Sequence, residues 1–194
     1  MCIELEINIK GISYKGFINK FTGTPQQMDN WCWAATIFNS YQYENNKKYA
    51  CQCNIISDDC CIFKNGCDKL GDTYNGLRPL GYKLIDIQNF STIKFDEIRK
   101  YIKNGNLVIL IYDVGSANHV KTIFSYAYKM TNTNLEYVYN IYNTYPKNTG
   151  HNYWSSQDNL AKGVSKIIVK KTNVLYKMTM LWKNQFLKFK ERLS

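Results

Sequence analysis

The chain is poor in histidine, in proline and in long apolar runs, and each shortage closes off a class of explanation. Only two histidines, His119 and His151, occur in 194 residues. Both lie far from the cysteine-rich stretch at 51–67, which also contains no C-x-x-C pair, so the spacing argues against zinc. No metal or cofactor is expected. No uninterrupted apolar run approaches the roughly 20 residues that span a bilayer. The start, Met1-Cys2-Ile3-Glu4-Leu5-Glu6-Ile7, alternates polar and apolar residues and lacks the basic start and apolar core of a signal peptide. A soluble chain without a membrane span is expected. Its compartment stays open: secreted or injected by another route, exported behind a leader since removed, or cytoplasmic. There are no internal repeats and no Pro/Ser-rich linker, so residues 1–194 read as one domain.

What is present is uneven. The formal net charge is +10, and residues 162–192 carry Lys162, Lys166, Lys170, Lys171, Lys177, Lys183, Lys188, Lys190 and Arg192 against the single acid Glu191. Such a segment is either a solvated lysine-rich face or a surface for an acidic partner. No nucleic-acid motif accompanies it, and no nucleic-acid partner is expected. The cysteines are Cys2, Cys32, Cys51, Cys53, Cys60, Cys61 and Cys67, an odd count that leaves at least one thiol free. The five between 51 and 67 are either disulfides stapling a loop, which would imply an oxidising compartment, or reduced buried thiols. Adjacent Cys60 and Cys61 are poorly placed to bond each other.

The hydrophobic pattern predicts an α+β protein. Residues 4–9 and 13–18 alternate as short strands, and 31–43 has helical periodicity with Asp29 or Asn30 as its N-cap. Residues 44–76 read as loops and short helices, 82–87 as an extended piece and 93–104 as a second helix. Strands follow at 107–112, 119–126, 136–142 and 165–171, and a closing helix or strand-helix pair at 175–193. The expected organisation is a helical lobe at about 22–92 packed on an antiparallel sheet lobe at about 93–194, to which the N-terminal strand is added.

The run Pro25-Gln26-Gln27-Met28-Asp29-Asn30-Trp31-Cys32-Trp33-Ala34-Ala35 carries the chemistry. A thiol attacks only as thiolate, and an ordinary one titrates near about 8.5. A helix N-terminus and a partnered histidine both favour the charged form. Cys32 begins a predicted helix, and Trp31 and Trp33 flank it, placed to shield it from water. By itself Cys32 could equally be a buried core cysteine. Acyl transfer from a thiolate builds an oxyanion that needs donors. The Gln26 side chain and the Cys32 backbone N–H could supply them, with Gln27 as a competitor.

His119 opens a strand after the turn Gly115-Ser116-Ala117-Asn118 and is the favoured base. His151 lies in the polar stretch Lys147-Asn148-Thr149-Gly150-His151-Asn152, which is expected to be a loop with poor positional control. Asn143, at the exit of the strand 137–142, is the candidate that orients the imidazole, and Asn140 is its alternative.

The ordered set Gln26, Cys32, His119 and Asn143 resembles the papain-like cysteine peptidases. The Trp-Cys-Trp-Ala-Ala core is most similar to their bacterial avirulence-effector branch, as are Gln52-Cys53, Cys60-Cys61 and His119-Val120. The similarity covers about residues 20–150. It implies a two-lobed α+β fold with a cleft, Cys32 as nucleophile, His119 as base and acid, Asn143 as orienter and Gln26 as oxyanion donor. Many relatives have Asp-Pro where this chain has Asn143-Thr144-Tyr145-Pro146, and often a glycine pair before the histidine, where this chain has Gly115 nearby. The implied function is a cysteine protease acting on protein or peptide through a thioester, of effector or toxin type. Two rivals stay open: a glutamine deamidase or acyltransferase on the same fold, and a non-catalytic binding module.

Overall fold

The computed structural model describes residues 3–46, 48–57, 67–86, 95–113, 115, 118–130 and 135–171. Cys2, Cys60, Cys61, the expected element at 175–193 and the basic residues from Lys177 to Arg192 lie outside them. The described residues form an eight-stranded antiparallel sheet with five α-helices, a mixed α+β fold.

β1 (Ile3–Ile9) and β2 (Ile12–Ile18) make a hairpin in which Ile9 faces Ile12. Its two turn residues, Lys10 and Gly11, sit at φ 51° and 81°. That mirror-image turn matches the twist of the strands, and glycine enters it without steric cost. β3 (Tyr82–Asp86), β4 (Val108–Asp113), β5 (Asn118–Met130), β6 (Leu135–Asn143), β7 (His151–Ser156) and β8 (Val164–Lys170) complete the sheet. The long strand β5 is its spine. β6 pairs along one edge of β5, while the other edge is shared by β4 at 118–123 and β2 at 125–128. β7 lies outside β6, and β8 and then β3 lie outside β4.

The continuous apolar run in β4 is explained by burial on both faces of the sheet. Because side chains alternate along a strand, Val108, Leu110 and Tyr112 fall on one face and Ile109 and Ile111 on the other. The first face is covered by α4 (Phe95–Lys103) through Ile98 and Ile102. The second is covered by α1 (Cys32–Tyr43) through Ile37 and Tyr41. Ala34 and Ala35 are fully buried, so α1 packs closely. The remaining helices are short: α2 (Cys53–Ile56), α3 (Thr73–Leu77) and α5 (Gln157–Ala161), with a 3-10 turn at Arg78–Leu80. Asp72 caps α3 by accepting from the Tyr74 and Asn75 N–H groups.

The expected split into a helical lobe at 22–92 and a sheet lobe after it does not describe this arrangement. β3 falls in the first range yet completes the sheet against β8, and β1–β2 joins the same sheet. A helix covers each face of one sheet. The reason is the two-sided apolar character of β4 and β8, which a single covering lobe would leave half exposed.

Among the described residues no helix is long and apolar enough to cross a membrane. Within the basic segment, Lys170 is drawn into structure: its ammonium pairs with Glu44 at 2.8 Å and lies over the Tyr82 ring.

Candidate functional site

Cys32 is the first residue of α1, and its side chain is buried. The expected caps do not cap. Trp31 is the N-cap and makes no side-chain capping bond. Asn30 is engaged with Asp68, and the Asp29 carboxylate pairs with Lys147 at 3.2 Å. The first-turn amides of Cys32 and Trp33 therefore keep their donors for the thiol, and with the Val120 backbone N–H of β5 they favour the thiolate. Burial outweighs them and pushes the Cys32 thiol above its ordinary value. The thiol itself donates to the Asn118 carbonyl at 3.8 Å.

The two tryptophans expected to shield the thiol are anchors as well. The Trp31 indole donates to Cys67 O at 2.8 Å and the Trp33 indole to Lys69 O at 2.9 Å. Gly71 lies so close to the Trp33 ring that any side chain there would run into it. The segment 67–71 is thus strapped over the start of α1. Cys67 and the mutually bonded Cys51 and Cys53 are disulfide cysteines, and Cys32 is free. Among the described residues no cluster of His, Cys, Asp and Glu could hold a metal ion.

His119 is the second residue of β5, and Asn143 is the last of β6. Asn143 is in register with Lys121, so His119, Lys121 and Asn143 share one face of the sheet. His119 Nε2 lies 2.8 Å from Asn143 Oδ1. That oxygen also accepts from the Tyr145 backbone N–H at 3.2 Å, which identifies it as the carbonyl end of the amide. Nε2 must then carry the proton, and Nδ1 is left with its lone pair free to accept another. Burial lowers the His119 pKa most, the Asn143 bond raises it, and the Lys121 charge lowers it further. Burial thus works against the charged form of both side chains.

Cys32, His119 and Asn143 line one cavity of about 390 Å³ together with Lys121 and Tyr145. A second cavity of about 500 Å³ opens on the other side of Cys32, walled by Trp33, Leu84, Ile111 and Val120, with Asp113 and Lys166 also lining it. Asn118 and Leu70 line both, as Cys32 does, so the two cavities adjoin at the thiol. The sequence reading missed Lys121 and Tyr145. Lys121 was findable, since it follows His119 by two on a strand; Tyr145 was not, because its place depends on the turn after β6.

His151 is not in a loop. It is the first residue of β7 and pairs in register with Asn143. The turn between them is closed by the Thr149 and Gly150 N–H groups on Pro146 O, which makes 143–151 a hairpin connection. His151 is exposed and packs on Tyr153. Asn140, the alternative orienter, sits inside β6 opposite Ser125 and Trp154.

Gln26 is buried, and its amide is held by backbone carbonyls of the turn before Cys32. Nε2 donates to Met28 O at 2.9 Å and to Asp29 O at 2.8 Å, which uses both of its protons. Gln27 is exposed, and its backbone N–H donates to Gln52 Oε1. No protein-family model matches the chain, and no curated protein matches it significantly.

Proposed function

We propose that the protein is a thiol hydrolase that cleaves peptide bonds, with Cys32 as nucleophile, His119 as base and then acid, and Asn143 as the group that orients the imidazole. The observation that carries this is the 2.8 Å bond from His119 Nε2 to an amide oxygen whose identity is independently fixed. It leaves Nδ1 as a base in the cavity that Cys32 also lines. An imidazole held by its far nitrogen beside a thiol at an uncapped helix start is the arrangement that nucleophilic catalysis needs.

In this scheme His119 Nδ1 takes the Cys32 proton as sulfur attacks the substrate carbonyl. The negative charge moves to the carbonyl oxygen, where the first-turn amides of α1 are oriented to receive it. Collapse expels the amine, which takes its proton from the imidazolium, and leaves a thioester. Water, deprotonated by the same nitrogen, hydrolyses the thioester and restores the thiol. In the unliganded protein burial disfavours the charged form of both groups. Proton transfer therefore accompanies attack.

The papain-like comparison of the fold belongs to this proposal. It is supported by the chain order Gln26, Cys32, His119, Asn143 and by a thiol-bearing helix lying across a sheet whose strand ends carry the imidazole and the amide. The flanking recesses favour an extended peptide, which can occupy both sides of the sulfur.

Mass spectrometry of a protein mixture treated with the enzyme tests the reaction class. New chain ends support the peptidase, whereas a one-dalton gain at glutamine identifies the deamidase. A non-catalytic module would leave the mixture unchanged, and Cys32 would react with iodoacetamide no faster than a free thiol.

A further inference from the structure

We propose that Gln26 and Thr144 form a buried clasp that positions Cys32 against the His119–Asn143 pair. The inference rests on the thiol-hydrolase reading above. Gln26 and Thr144 are each 1% exposed, and five hydrogen bonds converge on the glutamine. Its Nε2 holds the carbonyls of Met28 and Asp29, in the turn that leads into Cys32. Its Oε1 accepts from Thr144 Oγ1 at 3.0 Å. Its backbone N–H donates to Thr144 O at 3.1 Å, and its carbonyl accepts from Asn148 N–H at 2.8 Å.

Those contacts bridge the two halves of the site. Thr144 directly follows Asn143, and Asp29 stands three residues before Cys32. The nucleophile and the orienter come from distant parts of the chain, and Gln26 touches the connection to each. Gln52, also buried, braces the same segment from behind, donating to Pro25 O at 2.7 Å and accepting from Gln27 N–H at 3.2 Å.

The direction of the Gln26 amide follows from its partners. Two carbonyls can be satisfied only by the NH₂ end, so the group cannot be turned round. Swinging it away would strand the Thr144 hydroxyl in a buried place, and a stranded buried group costs more than its bond returned.

The experiment separates positioning from oxyanion stabilisation by using a reaction that has no oxyanion. Alkylation of Cys32 by iodoacetamide displaces iodide at a saturated carbon, and peptide mapping reads it at Cys32 alone. It is measured against pH in the full-length protein and in Gln26→Ala, Thr144→Val and Thr144→Ser. Peptide turnover is measured on the same samples, with thermal unfolding as a check on folding. A clasp predicts that Gln26→Ala and Thr144→Val each slow alkylation by about tenfold to a hundredfold and alter its pH profile. Thr144→Ser, which keeps the hydroxyl, restores the rate. An oxyanion donor predicts the reverse: turnover in Gln26→Ala falls by about 10²–10³ while alkylation is unchanged, and Thr144→Val is neutral. That pattern overturns the clasp and leaves the hydrolase reading intact. If the wild-type Cys32 itself reacts no faster than a small free thiol, the hydrolase reading falls and the clasp falls with it.

Discussion

The starts of β5 and β7 flank Asn143 from either side, and each carries a histidine. His151 is the nearer by register, directly opposite Asn143, while His119 is two residues off register on the other neighbour. Yet Asn143 Oδ1 bonds His119. His119 is partly buried beside the cavity that Cys32 lines, and His151 is exposed and rests on Tyr153. Strand register brings candidates together, but burial selects between them. An imidazole in water has no need of a protein partner, whereas one removed from water must satisfy its N–H or lose stability.

The largest effect that would break this comparison comes from the two alanine variants. His119→Ala should slow peptide turnover and Cys32 alkylation by about 10²–10⁴-fold, the usual contribution of a general base. His151→Ala should leave both rates unchanged and shift stability by no more than about 0.5 kcal/mol. Equal losses in the two variants, read by stopped-time alkylation and mass spectrometry, would remove the distinction. Asn143→Ala comes next. It deletes one hydrogen bond and frees the tautomer, so a loss of about tenfold in turnover is expected, with the alkylation pH profile altered. An unchanged profile would show that Asn143 does not hold the ring.

Acid dependence is a subtler probe. Burial depresses the His119 pKa, so the ring is the base in its neutral form down to a pH below the ordinary value of about 6.5. Turnover should fall as pH drops through that depressed value, and a limb above 6.5 would contradict the desolvated setting. The smallest effect is on stability. A group whose folded pKa is lowered resists protonation in the folded state. Its stabilising contribution is present above about 6.5 and is lost as pH falls through the lower folded value. Urea titrations between neutral pH and pH 5 should therefore show a falling midpoint that is flattened in His119→Ala.

Much of this layout was legible from local pattern. The alternation at 4–9 and 13–18 specified the first hairpin, and the two-sided apolar run at 107–112 specified a buried strand. Helical spacing from Cys32 onward gave α1 to within a residue. What local pattern could not supply were facts about distant neighbours. Residues 151–156 carry no clear alternation and follow a polar turn, and they became β7 because β6 offered an unpaired edge. Asn30 has the chemistry of an N-cap but was drawn to Asp68, 38 residues away. Gln26 stood out as a donor, and the partners its side chain takes, Met28 O, Asp29 O and the Thr144 hydroxyl, include one 118 residues away that no local pattern names.

The sequence by itself determined the types of the strongly periodic elements, the thiol at a helix start and the order in which thiol, imidazole and amide occur, since these follow from periodicity and spacing along the chain. Only the tertiary structure decided that one sheet is covered on both faces, that Asn143 takes His119 over His151, and that burial works against the charged forms of Cys32 and His119. Each of those depends on which atoms are removed from water together, and desolvation is a property of the packed molecule and not of any short stretch of residues.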